Sequence, residues 1–465
     1  MSSLDELGHV HFLGLAGVGV SAVARLMLAA GVPISGTDAK DLPVLDEFRA
    51  AGVPVRVGYS AGNLESLEAE SGHRVNTLIA SSVATAGNPE YDAAAAAGAT
   101  LLHRSEGLAA CMALKRAVAV AGTHGKTTTS SMAAVMLHAV GSQPSFAIGA
   151  NVTGLDTNAV LGAGDWFVAE ADESDGSLLN YSPEIAVVTN VEPDHLDHYG
   201  SAEAVEQVFT DFTRRIVDGG TLVLCSDDAG AAALGERTAG ALAARGVKIL
   251  TYGFGEAADL RLQTTTGPTG QQVRFGHRGD AAVAELKVPG AHNALNAAAA
   301  VAVGLRTGLS LREAAAGVSA FTGSSRRFEL RGEVAGVRVY DDYAHHPTEV
   351  SAVLKAAASF APGGRVHAVF QPHLFSRTQT FAAEFGAALQ AADTVTVLEI
   401  YPAREEPIAG VSSALLGQPV RSREETVAQI CAAAEPGDLV LTIGAGDVTH
   451  LAGEIVTALQ ERHGT

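Results

Sequence analysis

The feature that most constrains the fold is a short apolar run, residues 117–120, followed at once by a glycine-containing loop and a helix-like stretch. The loop has the sequence AGTHGKTTTSS over residues 121–131. Backbone N–H groups around Gly122 and Gly125 can approach an anion, and the helix that follows adds the positive end of its dipole. Lys126 would then reach the terminal phosphates of a nucleotide, and the hydroxyl of Thr127 a magnesium ion. The sequence therefore predicts an α/β unit built around a phosphate-binding loop.

This loop departs from the strict phosphate-loop pattern, because Val120 stands five positions before Gly125, where that pattern has glycine. The alternative is an ordinary strand-to-helix turn that carries a solvated lysine. We favour a nucleotide site because Gly-Lys-Thr follows an apolar strand and opens a helix, which is the context that the motif requires.

Length and charge narrow the class of protein. A chain of 465 residues is too long for one core and suggests roughly three domains. The net charge of −20 argues against binding to nucleic acid or to an anionic membrane. Three cysteines without CxxC spacing indicate neither a disulfide framework nor a zinc site. The first residues are acidic and no apolar run approaches the ~18 residues of a membrane span, so we expect a cytoplasmic protein without a signal peptide.

Apolar strands alternate with helical stretches along the whole chain, which predicts an α/β fold. The opening segment runs strand, glycine turn, helix and strand, a Rossmann-like order. A second unit starts at the phosphate loop and includes hairpin-like strands and an alanine-rich helix. A third follows FTGSSRRFE, with strands at RVHAVFQPH, TVTVLEIY and DLVLTIGAG. We place the domains at residues 1–107, 108–322 and 323–465.

The first glycine turn, GLAGVGVS, contains Gly14, Gly17 and Gly19, and Asp38 ends the second expected strand. Such a turn binds a diphosphate, and the acidic residue can accept a hydrogen bond from a ribose hydroxyl. NAD and a UDP-sugar both contain these groups, so the turn alone does not choose between them. A glycine-rich turn without any ligand is the third interpretation.

Two acidic clusters follow neighbouring strands of the second unit. They contain Glu170, Asp172, Glu173 and Asp175 in the first, and Asp194, His195, Asp197 and His198 in the second. Magnesium takes oxygen ligands and neutralises charge that develops on a transferring phosphoryl group. Each carboxylate taken singly could instead be a solvated loop charge or a helix cap. Histidine is a poor magnesium ligand, so the residues alone rank His195 behind the carboxylates.

Polar side chains are also concentrated later in the chain. Asn293 and Asn296 could bind an adenine edge, although Asn293 could equally be a helix N-cap. Arg326 and Arg327 suit phosphate or carboxylate, although most arginines are simply exposed. The third unit gathers further groups at two strand ends, namely Asp341, Asp342, Tyr343, His345, His346, His373 and Arg377. This density favours a site over isolated structural histidines.

With these segments the chain closely resembles the ATP-dependent Mur ligases of peptidoglycan synthesis. The resemblance covers essentially the whole chain and rests on GLAGVGVS, GTHGKTTT, EADESD, TNVEPDHLDHYG, CSDDA, GAHNALNAAAA, RRFE, DDYAHHPTE, FQPHLFSRT and YPAREEPIAGVSS. The family's phosphate loop has the form G-T-x-G-K-T, so Val120 is no defect. The resemblance implies a Rossmann-like UDP-sugar domain, a central P-loop ATPase domain and a Rossmann-like amino-acid domain.

The resemblance also implies residue roles. The UDP-sugar site comprises Gly14, Gly17, Gly19, Ser21, Asp38, Ser81, Ser82 and Arg104. The ATP site comprises Gly122, Thr123, His124, Gly125, Lys126, Thr127, Thr128, Asn293, Asn296, Arg326 and Asp341. The amino-acid site comprises Tyr343, His345, His373 and Arg377. Magnesium is held by Thr127, Glu170 and His195, which raises His195 above its rank from chemistry alone. The catalytic set is Lys126, Glu170, His195, Arg326 and Arg327.

Within the family, FQPHLFSRT and YPAREEP favour the ATP-dependent ligase that joins L-alanine to UDP-N-acetylmuramate. The sequence leaves both a monomer and a homodimer open. A recycling ligase that attaches intact peptides to the same UDP-sugar is the near alternative. An NAD-dependent dehydrogenase would leave the Gly-Lys-Thr loop unexplained, and a nucleotide-binding regulator would leave the third-domain cluster unexplained. Sister ligases carry a carbamylated lysine near the metals, but this chain has no lysine between His195 and Lys248, so that role stays unassigned.

Overall fold

The computed structural model describes residues 4–81, 85–194, 199–267, 270–403 and 405–464. The predicted site residues Ser82 and His195 lie outside this part of the chain, as do Asp197 and His198 of the second acidic cluster. Over the described residues the strands form three separate sheets, of five, ten and five strands. The predicted α/β fold with three successive units is thereby confirmed.

The first sheet is parallel throughout, with strand order β3-β2-β1-β4-β5. Its strands are β1 (His9–Leu13), β2 (Ile34–Asp38), β3 (Val55–Val57), β4 (Val75–Ala80) and β5 (Thr100–His103). Its helices are α1 (Val18–Ala29), α2 (Val44–Ala50), α3 (Gly62–Ser71), α4 (Pro89–Ala96) and α5 (Arg104–Met112). Every residue of β1 and β2 is buried, as expected for parallel strands covered by helices on both faces. Asp38 ends β2, as the sequence predicts.

The middle sheet has β6 at the centre of its parallel part, between β10 and β9. Its strands are β6 (Arg116–Ala121), β7 (Ser145–Val152), β8 (Thr157–Val160), β9 (Trp166–Glu170), β10 (Ile185–Val188), β11 (Thr221–Cys225), β12 (Lys248–Gly253), β13 (Leu260–Gly267), β14 (Gly270–His277) and β15 (Asp280–Leu286). Ligands in such sheets bind beyond the carboxyl ends of the strands. The loops after β6, β9 and β10 therefore meet at one edge.

The helices of the middle unit are α6 (Lys126–Ala139), α7 (Ala202–Arg214), α8 (Ala229–Ala244), α9 (Ala291–Thr307) and α10 (Leu311–Val318). β13, β14 and β15 form an antiparallel meander that leads into the alanine-rich α9, which confirms the predicted hairpins. α9 and α10 both pack against α6. Their small side chains allow close approach, and this fixes the helix that follows the phosphate loop.

The third sheet has the order β16-β17-β20-β18-β19 and is parallel apart from the first pair. Its strands are β16 (Glu329–Val334), β17 (Val337–Asp342), β18 (Val366–Phe370), β19 (Thr394–Val397) and β20 (Leu439–Ile443). Its helices are α11 (Pro347–Phe360), α12 (Phe375–Leu389), α13 (Arg423–Ala433) and α14 (Val448–His463). The three strands predicted at the end of the chain are all present.

α5 crosses residue 107, the first predicted domain boundary, and packs against α1. The chain then enters the middle sheet at β6. This packing favours a boundary a few residues later than 107, and the division into domains stays a proposal. In the part of the chain that the structure describes, every helix is too short or too polar to cross a membrane.

Candidate active site

The phosphate loop depends on two glycines. Gly122 and Gly125 have φ angles of 134° and 81°, which side-chain-bearing residues rarely adopt. A Cβ atom on Gly122 would lie 2.0 Å from the Thr189 hydroxyl, and one on Gly125 would lie 2.5 Å from Oδ1 of Asn296. Gly125 is also the N-cap of α6, and no side chain caps that helix. The loop therefore presents backbone N–H groups of the first helical turn to an anion.

Lys126 is held against this loop and is not a freely solvated lysine, the alternative considered from the sequence. Its Nζ donates to the carbonyl oxygens of Gly122 at 2.8 Å and Thr123 at 3.0 Å, and it forms an ion pair with Glu173 at 2.8 Å. Burial alone would lower the pKa of Lys126, but the carboxylates of Glu173 and Asp172 outweigh burial and raise it. The ammonium group is therefore charged at neutral pH.

An oxygen cluster lies beside the lysine at the end of β9. Glu170 ends that strand and pairs in register with Val120 of β6. The Thr127 hydroxyl donates to Oε1 of Glu170 at 3.0 Å, and the Gly149 N–H donates to Oε2 at 2.7 Å. A hydroxyl and a carboxylate are donors that magnesium prefers. The described residues thus fit the predicted metal site, and the third expected ligand, His195, lies outside them.

A cavity of about 270 Å³ adjoins the phosphate loop between the middle and third units. The predicted ATP-binding residues His124, Gly125, Thr128, Asn293 and Asn296 line it, together with Arg327 from the third unit. The N-cap of α9 is Gly290 and not Asn293, so the N-cap interpretation of Asn293 is wrong. Nδ2 of Asn293 donates to the Pro289 carbonyl at 2.7 Å. Oδ1 of Asn296 accepts from Thr129 at 3.2 Å, so both amides are fixed in the cavity wall.

The predicted UDP-sugar residues fall into two groups. Gly14, Gly17, Asp38 and Ser81 line a cavity of about 580 Å³ in the first unit, with Tyr59 and Asn88, which the sequence did not single out. Gly19 and Arg104 line a second cavity of about 100 Å³ that also contains Glu170. The second group therefore faces Glu170 and Asp172 of the first acidic cluster across the domain junction.

Arg104 belongs to the first unit but contacts the acidic cluster of the second. Its Nη2 lies 3.5 Å from Oδ2 of both Asp172 and Asp175. Ser21, in contrast, is buried in α1, and its hydroxyl donates to the Val18 carbonyl at 3.2 Å. A direct contact between Ser21 and the sugar stays a prediction, whereas Arg104 stands at the edge of the site.

The four predicted amino-acid residues come together at the carboxyl edge of the third sheet. The rings of Tyr343 and His345 are 5.3 Å apart, and those of His345 and His373 are 6.2 Å apart. Tyr401 stacks on His373 with centroids 5.8 Å apart and was not predicted individually, although it opens the YPAREEP segment. Burial lowers the pKa of His345 to about 3 and that of His373 to about 4. The two imidazole rings of this cluster are therefore neutral.

Arg377 lies within the first turn of α12 and points to the middle unit. Its Nη2 is 3.4 Å from Oδ1 of Asp194, and the two side chains are only 9% and 7% exposed. The helix begins after Leu374, which adopts a φ of 72°. Arg377 therefore joins two domains, and does not cap its own helix.

Arg326 and Arg327 both lie beside Tyr343, and the guanidinium of Arg327 is 5.3 Å from the centre of that ring. Nε of Arg326 donates to Asp341 at 3.2 Å, and the guanidinium lies 4.8 Å from the ring centre of Tyr343. Asp341 is fully buried and also accepts from the hydroxyls of Thr442 and Thr449. Its carboxylate holds Arg326, so a direct contact between Asp341 and ATP stays a prediction.

Three further residues join the phosphate loop to the third unit, and the sequence did not identify them individually. Nδ1 of His124 lies 3.2 Å from Oε1 of Glu349, and the Thr348 hydroxyl donates to Glu192 at 2.9 Å. The signal that could have found Glu349 is its position three residues after His346, because the two form a capping box at the start of α11. This junction closes one wall of the nucleotide cavity.

Comparison with known proteins gives matches along nearly the whole chain. Residues 9–116 match the model of the Mur ligase family, catalytic domain, residues 120–304 match the Mur ligase middle domain, and residues 326–446 match the model described as Mur ligase, glutamate ligase domain. The chain therefore belongs to the Mur ligase family, and its three sheets follow one another in the order of the three matched regions.

Individual relatives are similar over their full length. The chain is 56% identical to the UDP-N-acetylmuramate--L-alanine ligase of Paenarthrobacter aurescens strain TC1, with 99% of each protein covered. Among solved structures, a UDP-N-acetylmuramate-alanine ligase from Thermotoga maritima superposes with a TM-score of 0.78 at 26% identity, covering 98% of this chain and 99% of the other. A murein peptide ligase from Psychrobacter arcticus 273-4 shares the fold, with a TM-score of 0.69 at 24% identity and coverage of 97% and 98%.

Proposed function

We propose that this protein joins L-alanine to the carboxylate of UDP-N-acetylmuramate in an ATP-dependent reaction of peptidoglycan precursor synthesis. The observation that carries the proposal is the convergence of a charged phosphate loop, an oxygen cluster and a cluster of aromatic rings at one domain junction. Arg377 and Asp194 contribute a direct ion pair across that junction at 3.4 Å. The full-length similarity to relatives that carry this name supports the choice of substrates.

The reaction needs activation, because a carboxylate is a poor acyl donor until one of its oxygens becomes a leaving group. In the proposed first step a muramate carboxylate oxygen attacks the γ-phosphorus of ATP and ADP departs. In the second step the neutral amine of alanine attacks the acyl phosphate carbon. The tetrahedral intermediate then releases phosphate, and the amine loses its proton, which leaves the amide.

The chain's own residues supply charge stabilisation for the first step. Lys126 is charged and its side chain is only 14% exposed, so it can neutralise charge on the transferring phosphoryl group with little loss of its own hydration. Arg327 reaches the nucleotide cavity from the third domain. Arg326 is fixed by Asp341 and sits over Tyr343. We assign both arginines to stabilisation of the phosphoryl oxygens.

Magnesium would be held by Thr127 and Glu170, whose oxygens lie 3.0 Å apart, with His195 as the further ligand that the family resemblance implies. When bound, the ion would neutralise negative charge on the phosphates. Gly149 donates to the same carboxylate and fixes its orientation. This donor set supports Mg²⁺ as the cofactor.

The remaining parts bind the other two substrates. The cavity around Asp38 and Tyr59 would take the uridine diphosphate, and the sugar would extend past Arg104 toward Glu170. Alanine would bind among Tyr343, His345 and His373. Closure of the domains would exclude water from the acyl phosphate. We also propose a cytoplasmic location, consistent with three free cysteines.

Phosphate release tests the proposal. We expect release that requires UDP-N-acetylmuramate and L-alanine together, because water must be kept from the acyl phosphate. Rapid ATP hydrolysis in the absence of both would contradict it. Testing an intact peptide in place of alanine distinguishes the proposed ligase from the recycling ligase. A preference for the peptide would show that the chain is the recycling ligase. NAD-dependent oxidation of substrate would favour the dehydrogenase.

A further inference from the structure

One carboxylate contacts both the nucleotide loop and the amino-acid pocket. Oε1 of Glu349 lies 3.2 Å from Nδ1 of His124, in the phosphate loop. Oε2 of the same group accepts the backbone N–H of His345 at 2.9 Å and that of His346 at 3.3 Å. Because His345 lines the proposed alanine pocket, Glu349 connects the two halves of the site through a single side chain.

His124 is anchored on the loop side of this connection. Its backbone N–H donates to Oδ1 of Asn190 at 2.7 Å. Its Nε2 lies 3.5 Å from Oε2 of Glu192, which is ion-pair distance but too long for a well-formed hydrogen bond. Burial disfavours the charged imidazole, but the carboxylates of Glu192 and Glu349 outweigh burial and raise the pKa of His124 to about 9. The connection is therefore charge-assisted at neutral pH.

The third domain has a second contact beside the first. The Thr348 hydroxyl donates to Oε2 of Glu192 at 2.9 Å. Thr348 and Glu349 are adjacent in the first turn of α11, so this turn contacts the phosphate loop at His124 and the neighbouring loop after β10 at Glu192. A shift of the loop would therefore be transmitted to the start of α11 and to the backbone of His345.

We propose that His124 and Glu349 are positioning residues that couple occupancy of the phosphate loop to the geometry of the alanine pocket. A nucleotide that fixes the loop fixes His124, His124 fixes Glu349, and Glu349 holds the backbone of His345. Neither side chain has to touch alanine. This inference rests on the proposed ligase function and adds a specific link between its ATP and alanine sites.

A simpler role exists for Glu349, because it completes the capping box of α11. That role alone would affect stability and leave alanine binding unchanged. The chain offers a matched control in α13, where Glu425 completes a capping box with Ser422. Glu425 contacts the Ser422 backbone and is exposed. Glu349→Gln and Glu425→Gln make the same chemical change at the same helical position, and only the first lies at the domain junction.

The experiment compares His124→Gln, Glu349→Gln, the double variant and Glu425→Gln. The KM for alanine is measured at saturating ATP and UDP-N-acetylmuramate, with the KM for the UDP-sugar and a thermal melt alongside. We expect each junction variant to raise the alanine KM on the order of tenfold, within the usual range of coupling between sites. The double variant should be no worse than the worse single variant, because both changes break one link. Glu425→Gln should keep the wild-type KM.

An alanine KM in His124→Gln equal to that of the wild type would overturn the coupling, as would additive effects in the double variant. If Glu349→Gln does not fold, His124→Gln still decides the matter, because His124 lies outside α11. Failure of the wild type to release phosphate jointly with both cosubstrates would instead overturn the proposed function, and the coupling with it. If the wild type is active and His124→Gln has an unchanged alanine KM, the coupling is overturned and the proposed function stands.

Discussion

Removal of the Arg377 guanidinium tests the proposed alanine site most directly. The group is nearly buried and lies 3.4 Å from Asp194, and its remaining donors can take the carboxylate of alanine. A hydrogen bond to a charged group contributes ~1.5–3 kcal/mol, so Arg377→Ala should raise the alanine KM by roughly 10- to 150-fold. The residue directly after His373 is Leu374, which cannot share this charge. Arg377 should therefore carry most of the charge recognition.

The assay is an alanine titration at saturating ATP and UDP-N-acetylmuramate, with a thermal melt of each variant. Arg377→Lys keeps the charge but loses the planar fork, so it should fall between the wild type and Arg377→Ala. Arg365→Ala is the control, because Arg365 pairs with Asp438 at 2.9 Å at the amino end of β18, away from the pocket. That variant should lose stability and keep the alanine KM.

An unchanged alanine KM in Arg377→Ala, together with a lowered melting temperature, would refute the proposed contact between Arg377 and the carboxylate of alanine. Arg377 would then serve only to join two domains through Asp194. A matching rise in the KM for UDP-N-acetylmuramate would also count against it, because the expected defect is confined to alanine.

Three further predictions follow from the loop and the first domain. Lys126→Ala and Glu170→Ala should each lower turnover by on the order of a hundredfold or more, measured as phosphate release, and near-normal turnover would remove that residue from the catalytic set. Asp38→Ala should raise the KM for UDP-N-acetylmuramate by roughly tenfold without changing that for alanine, and an equal effect on both would indicate general damage. Because the pKa of His124 rises from 6.5 to about 9 on folding, its contribution to stability is complete below pH 6.5 and is lost as the pH approaches 9. The melting temperatures of the wild type and His124→Gln should therefore converge as the pH rises from 6.5 to about 9. A constant difference would contradict a positive charge on His124.

The sequence predicted well those features that local chemistry determines. The strand, glycine loop and helix around Lys126 follow from an apolar run and from two positions that only glycine tolerates. Asp38 ends β2, a short strand whose residues are all buried. The meander of β13 to β15 was predicted as hairpin-like strands, and in the middle of β14 buried and exposed residues alternate.

Contacts between domains could not be predicted in the same way. Arg377 meets Asp194 and His124 meets Glu349 across long stretches of sequence, and no local pattern encodes such pairs. The sequence also failed to identify the residue at which α9 starts, and the N-cap interpretation of Asn293 was therefore wrong. The N-cap is Gly290, which has a φ of 96° and lies three residues before Asn293. A side-chain cap and a glycine start leave similar patterns in the sequence.

The ion pair between Lys126 and Glu173 bears on how the proposed enzyme would respond to its own product. Any anion that binds Lys126 must compete with a carboxylate 2.8 Å from the ammonium group. A nucleoside triphosphate can offset this competition through its base, its other phosphates and its metal ion, whereas inorganic phosphate has few such contacts. Glu173 would therefore make product inhibition by phosphate weak while leaving nucleotide binding strong.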